Sequence, residues 1–251
     1  MWSSSPAFAL RGKSDVQRYI NQKERAMRKS ERLILSTGLS FFIFSIGVMA
    51  QEDHKHPEGI TADKAIELLK VGNERFVSGE FMQKDYAERV AATQTSQHPY
   101  AIVLTCADSR VSPEILFDET IGKLFVIRVA GNVVDPETLG SIEYAAKYLK
   151  TPLFVVLGHT SCGAVGATVK GGDYSENIMS LATRIAPAVE RAKAHDHGDL
   201  VETSVRENVH YQIEQSLASS KTLKKLSDEG HLDIIGAIYS IEDGRVEFLE
   251  D

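Results

Sequence analysis

The chain has 251 residues, of which 43% are hydrophobic and 25% are charged, as expected for one substantial globular domain. The formal net charge is −7 and no basic block follows the N-terminal segment, which argues against nucleic acid as a partner. Two cysteines are too few for a disulfide framework, but they suit a single bridge, a metal site or buried thiols.

The N-terminal part of the chain predicts a targeting segment. Residues 27–50 place basic side chains before an apolar run from Leu33 to Val48 and end on small residues, which is the layout of a secretory signal peptide. The apolar run is short for a membrane span. A polar, histidine-bearing segment, residues 51–60, follows directly. We therefore expect export, most simply to a periplasm, with an uncleaved membrane anchor as the alternative.

The sequence before the signal peptide needs a separate interpretation. Residues 1–26 precede the basic start of the targeting segment, whereas Met27 opens a normal one, so we interpret Met27 as the initiator. Residues 1–26 are then an overrun of the true start or, alternatively, a tail. Residues 61–251 form the main domain. We expect a mature N terminus at or near Gln51, and N-terminal sequencing of exported protein that found Met1 or Met27 would contradict this.

Hydrophobic periodicity divides the main domain into alternating helices and strands. A helix begins after the N-cap Thr61 and ends near Gly79, and a second short helix follows. Three continuous apolar runs have the length of strands, and a helical pattern lies between the second and third. The predicted strands span residues 100–106, 123–131 and 152–159; the further helices span 85–97, 137–150, 176–196 and 201–226; a hairpin spans 231–250.

This order of elements predicts the fold class. Strand, helix and strand, with strands apolar on both faces, indicate an α/β fold with a central, mainly parallel β-sheet flanked by α-helices. Cys106 ends the first predicted strand, and His159 and Cys162 follow the apolar run "LFVVLG" of the third. Loops at the carboxyl ends of parallel strands line the ligand crevice of such a sheet. If the two strands are neighbours, the three side chains meet at one edge.

Two cysteines and a histidine are ligands that suit zinc. Three protein ligands leave a fourth position open, which is typical of a catalytic zinc site rather than a structural one. Asp108 and Arg110 lie two and four residues after the first cysteine. Arg110 can hold Asp108 by a bidentate pair, and the carboxylate can then bind the metal or accept a hydrogen bond from water on it. The alternative is that both residues only satisfy the loop backbone.

Four motifs together resemble the β-class carbonic anhydrases: "LKVGNERF", "CADSR", "SIEYAAKYL" and "HTSC", in this order, with the resemblance covering about residues 60–250. It implies one zinc ion per chain, with Cys106, His159 and Cys162 as ligands. It also implies that Asp108 and Arg110 are the catalytic pair. The reaction implied is the reversible hydration of carbon dioxide to bicarbonate and a proton, by a zinc lyase.

The same resemblance implies a substrate pocket and an oligomer. Family members place a glutamine, aromatic residues and a backbone glycine near the substrate, and form dimers that often pair again. Some of these pocket residues reach the site of a neighbouring subunit. The implied partners are therefore carbon dioxide, bicarbonate and further copies of the chain, in a homodimer or homotetramer. The matching positions in this sequence are Gln97, Phe125, Tyr144 and Gly163.

Three alternatives remain open at the level of sequence. The same scaffold could hydrolyse carbon disulfide if access to the pocket differs. Cys106 and Cys162 could instead form a redox disulfide, although they are not the C-x-x-C pair usual in such proteins. The chain could also be a zinc protein without activity, against which the intact Asp108–Arg110 pair argues.

Overall fold

The computed structural model describes residues 59–194 and 198–249. The expectations for residues 1–26 and for the signal peptide lie outside the described residues, as does most of the polar segment 51–60. Within the described part, no helix is both long enough and apolar enough to cross a membrane.

A five-stranded sheet forms the centre of the domain, with the strand order β2-β1-β3-β4-β5. The first four strands are parallel to their neighbours, and β5 pairs antiparallel with β4 as the predicted hairpin. This confirms the predicted α/β class and its mainly parallel sheet. The strands are β1 (Ala101–Thr105), β2 (Leu124–Arg128), β3 (Leu153–His159), β4 (Asp233–Tyr239) and β5 (Val246–Phe248).

Eight α-helices and one 3-10 turn are described around the sheet. In chain order they are α1 (Ala62–Ser78), α2 (Tyr86–Ala92), α3 (Pro113–Leu116), the 3-10 turn Ala130–Asn132, α4 (Pro136–Lys147), α5 (Gly163–Lys170), α6 (Glu176–Lys193), α7 (Leu200–Ser219) and α8 (Lys221–Asp228).

The long helix predicted over residues 201–226 is wrong in one respect, because it is two helices. Ser220 has φ −120° and ψ 106°, which are extended values that end α7. Its side chain then accepts a hydrogen bond from the backbone N–H of Leu223 and so caps α8. A serine in a helical pattern can serve either inside a helix or as a cap, and periodicity alone does not distinguish the two.

Burial differs strongly among the strands. All residues of β1 and β3 are buried, whereas β2 is partly exposed along its whole length and lies at the edge of the described sheet. Helix α7 covers β3 and β4 at close range. A Cβ at Gly158 or Gly236 would lie 2.7 Å from a methyl group of Val209, so glycine at both positions permits this approach.

Helix α1 is fixed to the domain by one buried amide. The Asn73 side chain donates to the carbonyls of Leu116 and Gly244 and accepts from the N–H of Val246. Thus the "LKVGNERF" motif joins α1 to the end of α3 and to the β4–β5 hairpin.

Asp118 forms a second anchor for the N-terminal part of the domain. Its carboxylate is fully buried and pairs with Arg75 of α1 at 2.5 Å and with Lys84. The N–H of Met82 also donates to it, at 3.0 Å. Burial opposes the charge on Asp118, but these three donors keep the pKa of its carboxyl group below the usual value.

We predict that Asp118→Ala lowers the free energy of unfolding by about 3 kcal/mol at neutral pH, because it leaves two half-buried cationic groups without their buried partner. The pKa of Asp118 is lower in the folded than in the unfolded state, so its contribution is present above the unfolded value and is lost as the pH falls below about 4. Urea unfolding at a fixed protein concentration measures both effects. Glu67→Ala, which breaks an exposed pair with Lys64, is the control and should change stability by less than about 0.5 kcal/mol.

Candidate metal centre

The pairing of β1 with β3 brings the predicted ligands together. Thr105 at the end of β1 pairs with Leu157 of β3, so Cys106 leaves its strand beside His159 at the end of the neighbouring one. Cys162 follows three residues later. The two sulfur atoms and one ring nitrogen of His159 all lie within 4.8 Å of one another, and all three residues are buried.

The ring of His159 is oriented for metal binding. Its Nδ1 lies 2.9 Å from the carbonyl oxygen of Thr160, and since a carbonyl can only accept, Nδ1 carries the proton. The Nε2 atom is therefore a free lone-pair donor. It is buried and has no hydrogen-bond partner among the described residues. A buried nitrogen of this kind is costly unless it binds something, so its surroundings fit a metal ion.

The two thiols have different electrostatic surroundings. The Cys162 thiol, His159 and the N–H groups of Gly131 and Asp108 hold the pKa of Cys106 well below its usual range. The neighbouring Cys106 sulfur and burial raise the pKa of Cys162, although the N–H groups at the start of α5 act in the opposite direction. The two thiols therefore hold their protons with different strength. A divalent cation would favour loss of both, because metal ligands bind as thiolates.

These observations fit zinc better than a hard cation. Two sulfurs and one imidazole are the soft and borderline donors that zinc takes, and magnesium and calcium prefer oxygen. Three protein donors also leave one position for a small molecule. The residues that could hold the ion are Cys106, His159 and Cys162.

Asp108 lies beside this group and is held by Arg110. The guanidinium donates through Nε and a terminal nitrogen to the two carboxylate oxygens, at 2.9 and 2.8 Å. These bonds hold the pKa of the Asp108 carboxyl group well below its usual range. One carboxylate oxygen lies 3.9 Å from Nε2 of His159. Asp108 is thus an ionised acceptor next to the ligand group, and it is separate from that group in this structure.

The backbone of the loops after β1 and β3 is fixed by contacts that the sequence analysis did not predict. Arg128 donates to the carbonyls of Cys106 and Asp108, at 3.3 and 2.7 Å. Glu202 of α7 accepts from the N–H of Ser161 at 2.8 Å, where Ser161 has a left-handed φ of 54°. The N–H of Gly131 donates to the Cys106 sulfur at 3.3 Å. Each contact joins segments distant in sequence, and no local motif marks it.

The four residues assigned to the substrate pocket lie in different parts of the domain. Gly163 is exposed at the start of α5, next to Cys162, and a Cβ there would meet nothing within 4 Å. Gln97 is exposed before β1, so the whole strand, about 17 Å of extended chain, separates it from Cys106. Phe125 pairs with Ile102 near the start of β2, and its ring lies 6.4 Å from that of Tyr144. The structure therefore brings Gly163 to the ligand group of its own chain, but not the other three.

Known proteins share both the sequence and the fold. The sequence model of the carbonic anhydrase family matches residues 101–246. Carbonic anhydrase 2 of Mycobacterium tuberculosis is 39% identical over 189 residues, which are 72% of this chain and 89% of that protein. The solved β-carbonic anhydrase CcaA is 27% identical, with a TM-score of 0.58 over 74% of this chain and 92% of its own.

A more distant structure shares the fold alone. A β-carbonic anhydrase of Sordaria macrospora, described as tetrameric, has a TM-score of 0.56 at 22% identity, over 74% of this chain and 94% of its own.

Proposed function

The chain belongs to the β-carbonic anhydrase family and is therefore a lyase, and we propose that it uses one zinc ion per chain to hydrate carbon dioxide reversibly to bicarbonate and a proton. The observation that carries the zinc requirement is the buried cluster of Cys106, His159 and Cys162. Within the described part of the chain, the Nε2 atom of His159 has no other partner. Zinc, when bound, activates water as a nucleophile near neutral pH.

The chain's own residues supply orientation and charge. Asp108, kept ionised by Arg110, can accept a hydrogen bond from the attacking water and so orient its lone pair toward carbon dioxide. Arg128 fixes the carbonyls on either side of Ala107, and this holds the carboxylate at its distance from His159. Two thiolates give the centre more negative charge than imidazoles would, and we expect the highest activity at alkaline pH.

The remaining candidate functions have less support. Both cysteines are free thiols, and a buried imidazole with an unpartnered Nε2 beside them completes a set of metal donors that a redox disulfide does not need. The Asp108–Arg110 pair would have no role in a zinc protein without activity. Hydrolysis of carbon disulfide uses the same scaffold, and an assay with both substrates distinguishes the two reactions.

We predict that Cys106→Ser loses most of its zinc, because a hydroxyl is a far poorer zinc ligand than a thiolate. The measurement is metal content per chain after purification and dialysis, with wild type expected near one zinc. Ser109→Ala, three residues further on and exposed, is the control and should keep its zinc. Full zinc occupancy in Cys106→Ser would contradict the ligand assignment.

We predict that Asp108→Asn keeps its zinc but hydrates carbon dioxide at least about 10-fold more slowly. The amide carries no charge, and only its oxygen accepts hydrogen bonds, whereas both oxygens of the carboxylate do. Arg110→Ala should act in the same direction, since it leaves Asp108 without its partner. Stopped-flow hydration by zinc-loaded proteins measures the rates, with Glu190→Gln on α6 as a control for the loss of one exposed acid.

Equal rates in wild type and Asp108→Asn would reduce Asp108 to a structural residue of the loop. No hydration by zinc-loaded wild type at alkaline pH would contradict the proposed reaction itself.

We also propose that the chain forms a homodimer or homotetramer. A groove of about 610 Å³ lies between the segment that leads into α2 and the segment from α3 to β2, and large apolar side chains around it are exposed. The edge strand β2 begins at this groove. A second copy of the chain would cover this surface, and the tetrameric relative supports that occupant. The exposed side chains are Phe81, Met82, Tyr86, Ile115 and Ile121.

Sedimentation equilibrium tests this assembly, with an expected mass of two or four chains. Ile121→Lys should weaken the association, because it places a charge in the apolar groove. Ile178→Lys, at a similarly exposed position on α6, is the control and should leave the mass unchanged. A monomeric wild type at micromolar concentration would contradict the proposal.

A further inference from the structure

Helix α7 buries a row of polar side chains, Ser204, Asn208, Gln212 and Ser216, at a spacing of four residues. Each is at most 1% exposed. A spacing of four puts them on one face of the helix, the face that packs into the domain. Buried polar groups are costly unless they are hydrogen-bonded, so the partners of this row decide its role.

The two ends of the row are satisfied within the helix. Ser204 donates to the carbonyl of Leu200 and Ser216 to that of Gln212, each one turn earlier. These are the local bonds that a serine makes in any helix.

The two amides in the middle reach out of the helix. Asn208 donates to the carbonyl of Gly131 at 2.9 Å, and Gln212 accepts from the N–H of Val134 at 2.8 Å. Gln212 also donates to the Asn208 oxygen at 3.0 Å and to the carbonyl of Arg184 at 3.2 Å. A carbonyl needs a donor and an N–H needs an acceptor, so these partners fix the orientation of both amides.

The bond from Asn208 to Gly131 and the bond from Val134 to Gln212 end on the same segment of chain. This segment contains the 3-10 turn Ala130–Asn132. Gly131 lies in that turn with a left-handed φ of 73°. A Cβ at this position would lie 2.6 Å from Cδ1 of Ile185, so the turn is also tightly packed. Its N–H faces the Cys106 sulfur at 3.3 Å. One residue thus accepts from Asn208 through its carbonyl and donates to Cys106 through its amide.

We propose that Asn208 and Gln212 are positioning residues of the metal centre: they fix the 3-10 turn so that the Gly131 N–H stays on the Cys106 sulfur. A hydrogen bond to a thiolate withdraws electron density from the sulfur and fixes its direction, and it so tunes the bond to a metal. Their effect reaches the centre through the Gly131 backbone, without contact to the ion or the substrate. This inference rests on the proposed metal at Cys106, His159 and Cys162.

A merely structural role predicts a different result. If the amides only satisfy buried backbone groups, their loss lowers stability and leaves the bonds between thiolate and metal unchanged. The test therefore needs a signal from the sulfur itself. Cobalt(II) in the zinc position gives such a signal, since its thiolate-to-metal charge-transfer band responds to hydrogen bonding at the sulfur.

The experiment compares wild type, Asn208→Ala and Gln212→Met, with Ser216→Ala as the matched control from the same buried row. Each protein is loaded with cobalt for the spectrum, and its zinc affinity is measured by competition with a chelator. We expect a shifted charge-transfer band and about 10- to 100-fold weaker zinc binding in the two amide variants. Ser216→Ala should keep both, even if it is less stable. If Asn208→Ala does not fold, Asn208→Ser replaces it, because serine keeps a polar group but is too short to reach Gly131.

Unchanged spectra and affinities in the amide variants, together with a normal wild-type spectrum, would overturn this proposal alone. The same shift in Ser216→Ala would also overturn it, because general loosening of α7 would then explain the effect. A wild type without any thiolate–cobalt band would overturn the proposed metal site, and this inference with it.

Discussion

The register between β1 and β3 is the constraint on which the site depends. Thr105 lies opposite Leu157, so the chain leaves β1 at Cys106 beside the end of β3, where His159 stands. A slip of one residue would turn the side chains of a strand to the opposite face and separate the sulfur from the ring. Full burial of both strands opposes such a slip, because it would need two apolar surfaces to repack.

Two aspartates show how the same ionic chemistry serves stability and function. Asp118 is fully buried and meets two cationic side chains and an N–H, so its charge is satisfied and joins α1 to the domain. Asp108 also has a cationic partner, but its side chain stays 17% exposed and one oxygen points toward His159. Its pairing with Arg110 fixes the charge and direction of the carboxylate while leaving it accessible to a small molecule. Exposure on one side therefore separates the candidate catalytic aspartate from the structural one.

Sequence reasoning succeeded where the determinants are local. The apolar runs of β1 and β3, and the cysteines and histidine at their ends, indicated a parallel sheet with three potential metal ligands at one edge, because strand ends of such a sheet converge. The structure does bring these three side chains together. It failed for contacts made only by tertiary packing. The Gly131 N–H, Glu202 and Arg128 belong to segments that carry no metal motif, and each reaches the site through the folding of another element. The buried row on α7 did leave a signal, since polar residues recur every four positions beside Val205 and Val209, but periodicity alone assigns such a face to solvent.

If Gln97 and Phe125 serve as pocket residues, their position would link activity to assembly. Gln97 and Phe125 lie toward the amino ends of β1 and β2, whereas the ligand group lies at the carboxyl ends, and no rotamer change spans that distance within one chain. Phe125 belongs to the region of the exposed edge strand β2. In the proposed oligomer a second copy would cover this region, so residues remote from one metal centre can face that of the partner. Because assembly follows mass action, a site completed in this way would lose activity on dilution even while each chain kept its fold and its metal.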